Sequence, residues 1–483
     1  MLFNSIDFAL FLPVVFLLYW YVFSRNIRAQ NVLIVTASYI FYGWWDWRFL
    51  SLILFSTFVD YSIGRQLATA ERPDRRKLLL GISIFVNLGF LAFFKYYNFF
   101  LDNFIATFSL FGQKFQATSL QVILPVGISF YTFQTLSYTI DVYRRKLEPT
   151  RDFVAFSAFV SFFPQLVAGP IERATHLLPQ FYSKRQFNYG LAVDGLRQIL
   201  WGLFKKVVIA DNCAEYANYI FNNSADLNGS TLLLGAIFFT FQIYGDFSGY
   251  SDIAIGTARL FGFDLMRNFA YPYFSRDIAE FWRRWHISLS TWFRDYLYIP
   301  LGGSRGSTMM QIRNVFIIFI VSGFWHGANW TFIVWGALNA VYFLPLLLAK
   351  KNRNHLDIVA INRSLPTFRE LMNMLTTFGL TVLAWIFFRA ENLSHAFSYL
   401  GEIFSSSLIQ IPEFVGRKEA FLTGIPLIIT FLLIEWQGRR EQYAIADLGL
   451  SWHKHIRYAM YYTLIIAIIW FSGEEQQFIY FQF

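Results

Sequence analysis

Charge is segregated along this chain. Windows free of Asp, Glu, Lys and Arg recur at 8–24, 29–45, 78–94, 115–140, 153–171, 227–245, 314–349, 371–388, 420–434 and 458–473. A helix needs about 20 mostly apolar residues to cross about 30 Å of hydrocarbon, so the pattern predicts an all-α integral membrane protein of about ten to thirteen membrane segments, some short, tilted or re-entrant. The uncharged run at 314–349 is too long for one crossing. At about 1.5 Å per residue it would reach roughly 54 Å, so it must bend, tilt or break. Inside it, SGFWHGANW at 322–330 places His326 between Gly323 and Gly327. Small residues let backbones approach or a helix distort, which puts this histidine near membrane depth beside irregular backbone lining a cavity.

The stretch FWRRWHISLSTWFRDYLYIPLGG at 281–303 behaves differently. Trp282, Trp285, Leu289, Trp292 and Tyr296 recur at threes and fours, which predicts a helix lying at or dipping into an interface. Arg283, Arg284 and Arg294 would then face headgroups or a polar cavity, and Pro300, Gly302 and Gly303 would end the helix. Polar residues also enter apolar sequence at YGDFSGYSD, 244–252.

Composition agrees with the pattern. The 483 residues are 56% hydrophobic, 21% aromatic and 15% charged, with a mean hydropathy of +0.41, outside the usual range of soluble domains. The net charge of +9 does not point to nucleic acid, because its basic residues lie in short clusters between apolar windows. Positive-inside bias accounts for them: Arg25 and Arg28, then Arg72, Arg75, Arg76 and Lys77, then Arg144, Arg145, Lys146 and Arg151 fall in alternate connections. Those connections are expected on the cytoplasmic side and the N-terminus outside. The first apolar stretch lacks a basic leader and a small-residue cleavage pattern, and reads as a membrane helix. A single cysteine, Cys213, excludes an internal disulfide and a cysteine-based metal cluster. With no linker and no fixed-period repeat, residues 1–483 read as one membrane domain.

Seven histidines are present. His355, His453 and His455 lie among Lys and Arg in loops, His395 lies beside Glu391, and His176 follows the Gly169-Pro170 break. His326 has two readings. It is an interior histidine bonded to a carbonyl or to Asn329, or it is a site, which is the default for an ionisable group held at membrane depth. A neutral imidazole in a cavity can take the proton of a hydroxyl that attacks an activated acyl group. No GxSxG, HExxH, GxxxxGK[ST] or strand-bounded GxGxxG motif competes with that chemistry. Asp246 and Asp252 read either as a transporter's relay, together with His326, or as groups satisfying backbone donors at a helix break. Arg294 and Asp295 read as an interfacial ion pair or as simple anchors.

Several stretches resemble the membrane-bound O-acyltransferase superfamily, in particular its bacterial branch that O-acetylates polysaccharides such as alginate. They are SYIFYGWWDWRFL at 38–50, FKYYNFF at 94–100, LPVGISFYTFQTLSYTIDVYRR at 124–145, FFPQLVAGPIER at 162–173, YGDFSGYSDIAIG at 244–256, the 281–303 stretch, GFWHGANW at 323–330, FFRAENL at 387–393 and FIYFQF at 478–483. The resemblance covers essentially the whole chain, with core motifs within 120–345. It implies a multi-helical fold with a central tunnel in a bacterial cytoplasmic (inner) membrane, His326 as the acyl-transfer residue or general base, and His286 as a second catalytic histidine. Trp325, Asn329, Arg294, Asp295, Tyr296, Asp246 and Ser248 are the expected tunnel residues. The implied donor is acetyl-CoA or another cytoplasmic acetyl donor, used as substrate, with no bound cofactor and no metal. The implied partners are an extracytoplasmic acetyltransferase protein, a polysaccharide acceptor and membrane lipid. Related branches transfer D-alanine to teichoic acid or acetylate peptidoglycan. The terminal FIYFQF and the ENL motif fit the exopolysaccharide branch better.

Overall fold

The computed structural model describes residues 1–111, 120, 123–413, 418–473, 476, 478 and 479. Part of the 115–140 window and most of the terminal FIYFQF lie outside the described residues. The secondary structure described is helical, with no strand among the described residues. Two compact units are formed, residues 1–192 with 257–266, and residues 193–256 with 267–483.

The helices of the first unit are α1 (Ile6–Leu17), α2 (Ile27–Asp46), α3 (Leu50–Thr69), α4 (Pro73–Leu91), α5 (Tyr97–Leu110), α6 (Ile128–Tyr143), α7 (Phe153–Ser161) and α8 (Ala174–Leu177). α3 has no counterpart among the charge-free windows, because Asp60 interrupts it. The structure shows how that carboxylate is accommodated. Asp60 is fully buried and accepts hydrogen bonds from Ser83 Oγ (2.5 Å), Asn87 Nδ2 (2.8 Å) and Thr139 Oγ1 (3.0 Å), which come from α4 and α6. Arg76 ties two basic connections together, donating to the carbonyls of Leu67 (2.6 Å) and Tyr143 (2.7 Å). The window at 153–171 is helical only as far as Ser161 and then turns, as the Pro164 and Gly169-Pro170 positions require.

The second unit takes in most of α9 (Tyr189–Leu203), α10 (Asp211–Asn222), most of α11 (Gly229–Leu260), α12 (Ile278–Arg284), α13 (Ile287–Phe293), α14 (Thr308–His326), α15 (Trp330–Leu348), α16 (Phe368–Arg389), α17 (Leu393–Ile403), α18 (Lys418–Gln437) and α19 (Lys454–Trp470). The helix break considered at YGDFSGYSD does not exist, since α11 runs unbroken through it. Its two acids are held by a π-helical stretch, Phe204–Ala210. Lys205 Nζ lies 2.5 Å from Asp252 Oδ2 and Lys206 Nζ lies 3.0 Å from Asp246 Oδ1. Gln198 also donates to Asp252 (2.8 Å) and the Ile479 amide to Asp246 (2.6 Å).

Among the described residues, five helical segments are both long and apolar enough to cross a membrane: Pro73–Leu110, Gly229–Leu260, Thr308–His326, Trp330–Leu348 and Phe368–Arg389. Shorter apolar helices occur at Ile6–Val22 and Gly424–Gln437. α2 and α3, 20 residues each, are about 30 Å long at 1.5 Å per residue. They fall short on apolarity because they turn Gln30, Asn31, Ser38, Ser56, Thr57 and Asp60 inward.

Candidate active site

The 314–349 run is a helical hairpin, and His326 is the last residue of its first helix. Gly327 is extended, and Asn329 caps α15 by accepting from the Thr331 amide (3.0 Å). Such a cap satisfies one of the donors that a helix start leaves unmet. The same side chain donates to the Glu391 carbonyl (2.8 Å), so Asn329 serves the turn. Gly323 and Gly327 allow the close approach expected of small residues: a Cβ on Gly323 would collide with the Phe332 carbonyl, and one on Gly327 with the Phe332 ring. The hairpin closes because both positions lack a side chain.

His286 reaches the same place from a second break. The helix expected through 281–298 is split, with α12 ending at Arg284 and α13 beginning at Ile287. His286 stands between them at φ 43°, ψ 56°, a left-handed conformation that costs a non-glycine residue about 1–3 kcal/mol and persists only where its surroundings enforce it. Asn268 does much of that enforcing. Its carbonyl accepts from the Ile287 amide (2.8 Å), its Oδ1 accepts from Ser288 Oγ (2.6 Å), and its Nδ2 donates to Ser251 Oγ (3.0 Å).

The two imidazoles lie with ring centroids 6.5 Å apart, at 1% and 4% exposure, on a cavity of about 160 Å³. Trp282, Trp285, Leu289, Phe293, Ile318 and Phe319 form its apolar walls, and Ser290 and Ser322 add hydroxyls. Aromatic rings fix both histidines from behind. Phe247 packs edge-on to His286 at 4.6 Å, and Trp325, Trp335 and Phe388 surround His326 at 4.9, 5.3 and 5.3 Å. Two imidazoles facing a small, largely apolar space are suited to moving a proton on and off a reacting hydroxyl or thiol there.

The remaining expected tunnel residues do not line this cavity. Trp325 packs against both histidines from outside it. Arg294 pairs with Asp295 (2.7 Å) at a half-exposed position and borders an adjoining groove, so the ion-pair reading holds. Tyr296 packs tilted against Trp292, Asp246 is committed to Lys206, and Ser248 lines a separate small polar cavity with Lys205, Asp252 and Glu435. Arg283 and Arg284 are half-buried and held by protein groups. Arg283 donates to the Asn352 and His355 carbonyls, and Arg284 to Glu280 and the Ala270 carbonyl.

Sequence reasoning missed Lys205, Lys206 and Asn268. The pair of lysines in an apolar run was a usable signal, since two cations at that depth demand two counter-charges. Asn268 gave none. In the first unit, His176 sits between Glu172 Oε2 (2.8 Å) and Asp264 Oδ2 (3.3 Å). Its bonds to Asp264 and then Glu172 push its pKa up to about 10. His395 lies half-buried in α17, its ring nitrogen 3.1 Å from Ser224 Oγ. Among the described residues no cluster of three or more His, Cys, Asp or Glu side chains is arranged to hold a metal.

The chain belongs to the membrane-bound O-acyltransferase family, whose model matches residues 79–383. It is 40% identical, over 513 aligned positions taking in 100% of both chains, to a probable alginate O-acetylase, AlgI, of Pseudomonas putida. It is 32% identical over 528 positions to a peptidoglycan O-acetyltransferase of Helicobacter pylori, covering 100% of this chain and 98% of that one. A teichoic acid D-alanyltransferase of Bacillus subtilis is 28% identical over 228 positions, 45% of this chain and 57% of its own.

Proposed function

We propose that the protein is a multi-pass membrane O-acetyltransferase of the bacterial inner membrane, in which residues 1–483 act as one domain. It takes acetyl groups from a cytoplasmic donor, acetyl-CoA or another activated acetyl carrier, and passes them across the membrane for O-acetylation of an extracytoplasmic polysaccharide of the alginate type. A partner acetyltransferase outside the membrane completes the transfer. The observation that carries this reading is the pair His286 and His326 on one buried cavity. The names of the full-length relatives support acetyl as the group and a cell-surface polymer as the destination.

In the chemical step, His326 takes the proton of the attacking hydroxyl as its oxygen forms a bond to the acetyl carbon. The bond from that carbon to the donor's leaving atom, a sulfur where the donor is a thioester, breaks. The proton passes to the leaving group, and His286, across the cavity, assists its movement. General acid–base help of this kind is worth about 10²–10⁴ in rate. The pairing of Asp246 and Asp252 with lysines favours a structural role for them over a transporter's relay.

The test is His326→Ala in cells that make the polymer, with protein level measured in the membrane fraction. Normal insertion with loss of polymer acetyl esters is expected. Normal acetylation by a stably inserted variant refutes the reading. Analysis of which polymer loses esters separates alginate-type polysaccharide from peptidoglycan.

A further inference from the structure

Two spaces adjoin in the second unit. One is the histidine cavity of about 160 Å³. The other is a more open groove of about 570 Å³, rimmed by Arg294, Lys350 and Arg353 and floored by apolar side chains that include Val315, Phe343 and Leu347. Ile318 and Phe319 line both. The Phe319 ring stands edge-on to Trp282, which faces the cavity, with centroids 5.4 Å apart, and lies 6.0 Å from Phe343, which faces the groove. Phe319 is therefore a wall between them.

That wall has little freedom to yield. On α15, Gly336 packs so close that a Cβ there would collide with the Phe319 carbonyl, which fixes the backbone behind the ring. The ring itself packs between Trp282 and Phe343. Close-packed interiors respond to a single methylene, and a hydrophobic pocket separates substrates differing by one methylene by roughly 10- to 200-fold.

We propose that Phe319 is a specificity-determining residue that limits the length of the transferred acyl group by closing the histidine cavity against the groove. Shortening this side chain joins the two spaces, and the groove's apolar floor then receives the tail of a longer acyl group. The proposal rests on the O-acetyltransferase reading above and deepens it.

The experiment uses the full chain in polymer-producing cells grown with butyrate, so that two-carbon and four-carbon acyl donors are both present. Mild alkali releases the ester-linked acids from the polymer for quantification. Wild type should release acetate. Phe319→Ala should raise the butyrate-to-acetate ratio by at least about tenfold, with Phe319→Leu between the two. Should the alanine variant fail to accumulate in the membrane, the leucine variant decides. Variants that acetylate while keeping the wild-type ratio overturn the length limit and leave the acetyltransferase reading intact, as do variants present at normal level that form no ester at all. A wild-type polymer without acetyl esters overturns the acetyltransferase reading, and the length limit falls with it.

Discussion

Replacing Lys205 by Met should destabilise the second unit by about 3–5 kcal/mol, and replacing Asp252 by Leu at the same time should restore it. Lys205 Nζ is 2.5 Å from Asp252 Oδ2, with side-chain exposures of only 4% and 12%. Removing the ammonium leaves a buried carboxylate with the Gln198 amide, and breaking a buried pair in this way costs about 3–5 kcal/mol. That is roughly two to three and a half powers of ten in the ratio of folded to unfolded protein. Spread over 483 residues at about 2.1 cal/mol/K each, a loss of about 4 kcal/mol lowers the unfolding midpoint by about 4 °C, and by more if the second unit unfolds alone. The double variant removes both charges, and hydrophobic replacement of a buried pair is often neutral or stabilising. The assay is thermal unfolding of the detergent-solubilised protein by tryptophan fluorescence for wild type, both single variants and the double, with membrane activity alongside. A double-mutant cycle then gives the coupling directly. A single variant as stable as wild type, or a double variant as unstable as the worse single, refutes the structural assignment of the pair and returns Asp252 to the relay reading.

Further outcomes follow from other sites. His286→Ala should lower transfer by about 10²–10⁴ with normal insertion, and unchanged activity in membrane vesicles would remove it from the chemistry. Gly323→Ala places a Cβ against the Phe332 carbonyl and should destabilise the hairpin by about 1–3 kcal/mol or more, read as loss of heat resistance in detergent; a neutral result would show that the hairpin is looser than described. Because the pKa of His176 is raised from 6.5 to about 10, its contribution is complete below about pH 6.5 and is lost as pH rises toward 10. The stability gap between wild type and His176→Gln should therefore be wide at pH 6 and vanish near pH 10, and a gap that does not change with pH contradicts the ion-paired geometry.

Membrane character and the hairpin were legible because they depend on one-dimensional quantities, runs of uncharged residues and the rise of a helix. The length of the 314–349 run was enough to require a bend, a tilt or a break, and Gly323 and Gly327 pointed to His326 as its place. The partition of roles around the break was not legible. Gly323 and Gly327 read equally well as makers of space or of contact until Phe332 is seen against them. The split at His286 was hidden because the three-and-four spacing of Trp282, Trp285, Leu289 and Trp292 continues across it. What breaks the helix is a tertiary constraint from Asn268, and no local pattern carries it. YGDFSGYSD looked like a break for the reverse reason, since Gly, Ser and Asp favour turns locally, yet buried lysines and close packing hold it helical. A rule that counts uncharged windows passes over α3, whose Asp60 is matched by residues on two other helices.

That last arrangement bears on how the protein enters its membrane. A carboxylate near the middle of a membrane helix opposes insertion by about 3 kcal/mol on insertion scales, and within α3 Asp60 is met by the Ser56 hydroxyl at the long distance of 3.5 Å. Its hydrogen-bond donors Ser83 and Asn87 arrive with α4, the next helix made by the ribosome, while Thr139 arrives later with α6. α3 therefore gains by waiting for α4 and entering as a helical pair, with α6 locking the pair afterwards. A ribosome stalled before Ser83 emerges would hold α3 at the translocon's threshold, and one stalled after Asn87 would release it into the bilayer.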